Sequence, residues 1–215
     1  MKLLNKIFFV YFLSKFLKID DSISFSDLNF KKLDFTNYNQ IKLFIFKKNF
    51  YKSKNKYIQS FEFLNFSKRL GGKIGINLSK NNIFKWYSIN KNKFNFPWSE
   101  DLTSKRLISL IYNYEFINSS SNNKERKVLK KIIFKHMYRT IFDYNYKKVD
   151  QLTLYDVIAF LLSSFILKKN YTNISILICP AISNQVDNLG MHKSYNILEH
   201  AKFINNINEI KNIFL

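Results

Sequence analysis

The apolar positions of this chain follow a helical period in its second half and something closer to alternation in its first. Within residues 124–144, Val128, Leu129, Ile132, Ile133, Met137 and Ile141 recur at spacings that build one buried helix face. The polar run SSSNN at 119–123 precedes them and offers an N-cap. Residues 103–112 predict a shorter helix. Thr153, with Asp156 three residues on, has capping-box spacing and starts a helix expected over about 154–168, with Lys168 and Lys169 suited to its C-terminus. A last helix is expected over 194–205, with Gly190 before it.

The first half reads differently. Residues 41–46 (IKLFIF) predict a short strand, and 58–66 (IQSFEFLNF) place Phe61, Phe63 and Phe66 near alternation. Residues 73–79 are positioned to pair back, 84–89 (FKWYSI) predict a further strand, and 95–97 close the segment. Gly71 and Gly72 then take a hairpin turn. The run ISILIC at 174–179, ended by Pro180, predicts a buried strand. The expected fold is α+β, with a small antiparallel sheet in the first half and a helical second half. It divides into a basic, sheet-containing region (1–100) and a mainly helical region with one buried strand (101–215). No internal repeat is present.

Composition changes how far these propensities count. The 215 residues include 23 Phe, 13 Tyr and 31 Lys, against 4 Gly, 2 Pro and 4 Arg. The enriched residues have AT-rich codons and the depleted ones GC-rich codons. This is the drift of organelle genomes, some protist nuclei and reduced endosymbionts. Phe and Asn then stand where Leu and Ser would serve.

Charge narrows the partners. The chain carries +20 at pH 7, a strong self-repulsion that a polyanion relieves. Nucleic acid is favoured over an anionic membrane face. Residues 1–50 carry net +5, 51–100 net +8, 101–150 net +6 and 151–215 only +1. The positive field sits in the middle of the chain, and the last part reads as protein-contact material. The single cysteine, Cys179, excludes an intrachain disulfide framework and a cysteine-based zinc cluster. Its apolar neighbours predict a buried thiol.

The N-terminal MKLLNKIFFVYFLSKFLKID has a seven-residue apolar run behind Lys2 and Lys6. It lacks a small-residue cleavage pattern and has no arginine, so an amphipathic or buried first helix is expected rather than a leader. The run at 157–167 is too short to span a bilayer. Soluble behaviour without stable transmembrane insertion is expected. A chain that works in an organelle without a presequence is most simply made there.

Two constellations suit phosphate. Lys127, Lys131, Lys135 and Arg139 fall four residues apart along one helix edge, with Lys124 a turn before. Such a row is either a solvated face or a phosphate-binding edge, and the +20 background favours the second. The stretch KRLGGKIGIN spends three of the four glycines on one decapeptide. Gly71 and Gly72 let the backbone turn and approach a surface, and Lys68, Arg69 and Lys73 flank the turn. This is either a plain hairpin or an RNA contact, extended by Lys80 and Lys85. Trp86, Tyr87 and Trp98 lie near in sequence, and interleaved aromatics suit unpaired bases.

Catalytic signals are missing. No Walker lysine follows the glycines, and they do not make a dinucleotide fingerprint. His136, His192 and His200 show no paired-ligand spacing, and the one acidic pair, Asp20–Asp21, sits in a polar stretch. No serine lies in a nucleophile elbow. The expectation is a non-enzyme with no cofactor, metal or small-molecule substrate.

The stretch FEFLNFSKRLGGKIG resembles the C-terminal domain of the third protein of the small ribosomal subunit. Arg69, Leu70, Gly71 and Gly72 match its Arg-Leu-Gly-Gly signature, and KFNFP at 93–97 is a loose counterpart of its later turn. Lys73, Ile74, Gly75, Ile76 and Asn77 depart from the family's continuation, and the chain runs on for over a hundred residues. KERKVLKKIIF, YRTIFDYNY and LTLYDVIAFLL resemble the helical part of the fourth small-subunit protein, without its RNA-reading module. Both resemblances imply a structural constituent of an organelle-encoded, mitochondrial small-subunit ribosome, bound to rRNA and neighbouring ribosomal proteins in the matrix. A peripheral accessory subunit of a respiratory membrane complex is the alternative.

Overall fold

The computed structural model describes Phe25 and residues 54–93, 96–167 and 174–214. The strand expected at 41–46, the N-terminal helix and the lysines at 168 and 169 lie outside these residues. The rest is helical. In chain order the helices are α1 Lys56–Gln59, α2 Phe63–Leu70, α3 Gly72–Asn90, α4 Glu100–Tyr112, α5 Tyr114–Asn118, α6 Asn123–Tyr146, α7 Leu154–Ile166, α8 Ile174–Ser183 and α9 Ile197–Phe214. Short 3-10 turns stand at Phe96–Trp98 and Val149–Gln151.

Among the described residues there is no strand or sheet, only an isolated bridge between Val186 and His192. The α+β expectation is therefore corrected to all-α. The strands expected at 58–66, 73–79 and 84–89 are α1, α2 and α3, and Gly71–Gly72 joins two helices rather than two strands. The cause is legible in α3. Its inner face is Gly75, Ser79, Asn82, Ile83, Trp86 and Asn90. That spacing is helical, but small and polar residues hold four of these six positions, so no apolar period shows. Their polar groups are satisfied locally: Ser79 Oγ donates to the Gly75 carbonyl (2.9 Å), Asn82 Nδ2 to that of Leu78 (2.7 Å) and Asn90 Nδ2 to that of Trp86 (3.0 Å). The strand expected at 174–179 is α8, which runs through Pro180. A six-residue apolar run does not distinguish the two by period. Cys179, expected inside a strand, is exposed on that helix.

Helices α6 and α7 begin where sequence placed them, whereas α4 starts three residues before the expected 103 and α9 three after the expected 194. Asn122 Oδ1 accepts from the Glu125 N–H (2.9 Å), and the Glu125 carboxylate accepts from the Asn122 N–H (3.0 Å), closing a capping box at α6. Thr153 and Asp156 form the same reciprocal pair at α7. Helix α7 is apolar nearly all round and is the buried axis of the molecule. Leu154, Val157, Ile158, Leu161 and Leu162 have no exposed surface, and α4, α6, α8 and α9 pack around it. Asp156 also accepts from Ser104 of α4 (2.9 Å) and from Lys147 Nζ (2.6 Å), tying three segments together. Helices α2 and α3 form a hairpin, with α3 lying on α5 and α6.

The glycines of the KRLGGKIG stretch have a packing explanation. Gly71 and Gly72 take φ of +66° and +52°, a left-handed turn that an L side chain strains. Gly75 allows α3 to cross the end of α2. A Cβ there would stand 2.1 Å from the Ser67 carbonyl oxygen and 3.1 Å from the Phe116 ring. Gly75→Ala is expected to lower stability by about 2–3 kcal/mol in a urea melt, since overpacking outweighs the gain in helix propensity. A neutral result would mean that the hairpin is not packed this closely.

Candidate nucleic-acid interface

Among the described residues, the cations that sequence singled out face outward mainly in two clusters. The first is the α2–α3 corner, where Lys68, Arg69 and Lys73 are exposed around the left-handed Gly71–Gly72 turn. Leu70 and Ile74 are exposed beside them, Ile74 to 73%. The second is the start of α6, where Lys124, Arg126, Lys127 and Lys131 are exposed. Lys85 is exposed further along α3. The two helices run side by side in the same direction, because Lys80 reaches Glu125 and Lys135 reaches Lys91.

The cationic row of α6 does not stay on the surface. Lys124, Lys127 and Lys131 face out, but Lys135 and Arg139 are only 3% and 1% exposed. The helix passes from the edge of the molecule into the space between α4 and α7, and the row submerges with it. Lys135 Nζ donates to the Lys91 carbonyl at the end of α3, where a cation also meets the negative end of that helix. It lies 5.8 Å from the ring centres of both Tyr87 and Trp98. Arg139 Nε donates to Asp143 (2.9 Å), and its Nη2 is buried without a partner among the described residues. Lys80 is buried as well, with Nζ on the Ser120 carbonyl (2.8 Å) and on Glu125 (3.0 Å). The hydrogen bond from Lys80, then that from the Asn122 N–H, holds the Glu125 carboxyl below its usual range. Of the twelve positions singled out by sequence, Lys80, Lys135 and Arg139 are thus committed inside the protein.

Burial, with the charges of Lys131, Arg139 and Lys91, pushes the Lys135 pKa down to about 8. A depressed lysine pKa means that the folded state holds its proton less tightly than the unfolded chain. The cost of burying the charge is complete below pH 8 and fades as pH rises toward 10.5. The buried tyrosines act in the opposite sense from about pH 9 upward, where tyrosine in the unfolded chain begins to ionise, because burial raises the pKa of Tyr112, Tyr144 and Tyr155. Stability is expected to rise between pH 8 and 9, by about 1 kcal/mol, before the tyrosines offset it. Lys135→Met should flatten that rise in chemical melts across the range. An unchanged slope in the variant would contradict the assignment.

The aromatics expected to stack on bases are interior. Trp86 has no exposed surface and Trp98 has 2%. Their indole N–H groups donate to the Gln59 side chain (2.7 Å) and the Asn90 carbonyl (2.6 Å). They enclose Arg106, which sequence reasoning missed. Its guanidinium carbon lies 4.1 Å from the Trp86 ring centre, 5.4 Å from that of Trp98 and 5.5 Å from that of Phe61. Phe61, at φ +61°, is held in a left-handed conformation to complete this wall. Arg106 Nε donates to His136 Nε2 (2.9 Å), and its terminal nitrogens donate to the carbonyls of Gln59 and Pro97. That bond fixes the His136 tautomer, so Nδ1–H donates to the Ile132 carbonyl at 2.7 Å. Burial first, and then the Arg106 charge, pushes the imidazole well below its ordinary pKa.

Among the described residues no group of three or more His, Cys, Asp and Glu is placed to hold a metal, and no helix is long and apolar enough to cross a membrane. His192 and His200 do meet, through a hydrogen bond from the His192 backbone N–H to His200 Nδ1 (3.2 Å).

The molecule is, in class, a strongly basic helical protein with outward cations at one helix corner and one helix start. Compared with known proteins, the chain matches no family model, no curated protein and no solved structure. The two ribosomal resemblances therefore rest on their quoted residues alone.

Proposed function

We propose that this chain is a non-enzymatic structural constituent of an organellar ribosome, in the mitochondrial small subunit, where it braces folded rRNA. One observation carries the reading. Lys68 and Lys73 are exposed at the α2–α3 corner and Lys124, Lys127 and Lys131 at the start of α6, while the single acid of 122–131, Glu125, is bound to Lys80 and to its own N-cap. A surplus of this kind on a +20 chain is what phosphates neutralise. The contacts are to backbone phosphate, which positions RNA without reading its sequence. The partners are rRNA and neighbouring ribosomal proteins, and the matrix is the compartment. Synthesis within the organelle agrees with the codon-driven composition.

The exposed Leu70 and Ile74 beside Lys68, Arg69 and Lys73 favour a second reading. Mixed basic and aliphatic surfaces also lie on membranes, as a peripheral subunit of a respiratory complex would. Sedimentation of a gently lysed organelle separates the two. A ribosomal constituent travels with an RNA-rich particle and leaves it progressively as salt is raised. A membrane subunit stays with detergent micelles, and that outcome would remove the ribosomal reading.

A further inference from the structure

The C-terminal part of the fold presents a surface of another character. Leu189 (89%), Ile197 (86%), Tyr195 (72%), Leu198 (48%), Ile204 (47%) and Met191 (40%) are all exposed within sixteen residues. Single apolar side chains are ordinary on a protein surface, whereas a concentration of this kind marks an interaction site. Ile197 and Ile204, seven residues apart, share one face of α9.

The loop that carries the others is built rather than loose. Asp187 Oδ1 accepts from the N–H groups of Leu189 and Met191, each at 2.9 Å. The Asp187 N–H donates to the Met191 carbonyl (2.9 Å), and the Lys193 N–H to that of Gln185 (2.9 Å). The His192 N–H fastens the loop to α9 through His200. Tyr195 is held at φ +50°, a strained conformation for an aromatic residue, with its side chain bonded to Asp187. The loop therefore holds a tyrosine and two long aliphatic side chains outward in a fixed arrangement.

Charge selects the occupant. Over 174–214 there are three lysines (Lys193, Lys202, Lys211) and three acids (Asp187, Glu199, Glu209). One such pair, Lys202–Glu199, closes on itself at 2.7 Å. A surface without net charge on a +20 chain is unsuited to a polyanion. It also lacks the cationic surplus of a surface that lies on anionic lipid. A second copy would bring another +20 into contact, and self-repulsion opposes it. Tyrosine and methionine among aliphatics, with few charges and one of them paired as Lys202–Glu199, is the composition of a protein–protein contact. We propose that the 187–204 surface docks the apolar, weakly charged face of a different polypeptide. This face stands apart from the cationic corner and does not depend on what that corner binds.

The test places the photoreactive residue benzoylphenylalanine at Leu189 and, separately, at Ile197 of the full chain in its native assembly. After irradiation, the attached molecule is mapped by mass spectrometry. The proposal expects both positions to join the same heterologous polypeptide through an apolar segment. It also expects Ile204→Asp, on an exposed position that keeps the circular dichroism and melting point of the parent, to cut the yield at least about tenfold. Adducts to lipid, to RNA or to a second copy, or no adduct at either position, would overturn it. RNA binding measured on the same Ile204→Asp chain stays at the parental level. A chain that shows no RNA affinity refutes the ribosomal reading while leaving the cross-link result to decide this one.

Discussion

Changing Lys124, Lys127 and Lys131 together to glutamate is expected to weaken binding to folded rRNA by roughly a thousandfold at fixed salt. All three side chains are exposed on the first turns of α6. Surface changes of this kind cost the fold within about 0.5 kcal/mol each, so lost binding is not lost structure. The salt dependence makes the test sharper than the affinity. Each lost phosphate contact lowers the slope of log K against log salt by about 0.7 to 0.9, so the triple variant should lose about two units. A matching change of Lys68, Arg69 and Lys73 should act in the same direction through the α2–α3 corner. Lys135 belongs in neither set, because it is buried against the end of α3 and its reversal would test the fold instead. If the triple variant kept the parental slope, the α6 surface would not be a phosphate contact.

The second large effect is on stability. Arg106→Ala is expected to cost about 5 kcal/mol, a large share of what holds a domain of this size. A buried charge is not in itself stabilising, and replacing one by an apolar residue is often neutral when its partners leave with it. Here the partners stay. The buried Gln59 carbonyl and His136 Nε2, and the partly buried Pro97 carbonyl, would each lose their donor, beside a cavity walled by Trp86, Trp98 and Phe61. Arg106→Lys should recover little, since one ammonium group does not reach three acceptors set around a planar fork. If the alanine chain fails to fold, the lysine chain still reports, with a lower urea midpoint. A lysine variant as stable as the parent would contradict the account.

The sequence displayed α6 and α7 well, and α8 and the first half poorly, for reasons that lie in particular residues. Helices α6 and α7 announce themselves because their buried positions are aliphatic and their starts carry capping boxes at Asn122–Glu125 and Thr153–Asp156. Helix α3 hides because Gly75, Ser79, Asn82 and Asn90 occupy its inner face. Before and within α2, Phe61, Phe63 and Phe66 imitate alternation, although the helix itself turns Phe63, Leu64 and Ser67 inward and Phe61 is buried from the turn before it. A chain enriched in Phe and Ile by codon drift raises strand propensity everywhere, and the β reading followed that bias.

The candidate site divides in the same way. Spacing placed Lys127, Lys131, Lys135 and Arg139 on one edge, but spacing does not say where along that edge the core begins. The missed signal was arginine itself. In a chain with 31 lysines and 4 arginines, a guanidinium marks a place where lysine does not serve. Two of the four, Arg106 and Arg139, are buried. The glycines of KRLGGKIG carried a true signal whose meaning was packing: two positive φ angles and one close helix crossing.

The most direct test of the central claim is ultraviolet cross-linking of the assembly purified under native conditions, with nucleotide adducts mapped to residues. Adducts are expected to concentrate on 68–73 and 124–131, with none on the 187–204 surface. An assembly free of ribonucleotide, or adducts that avoid both cationic stretches, would contradict the claim.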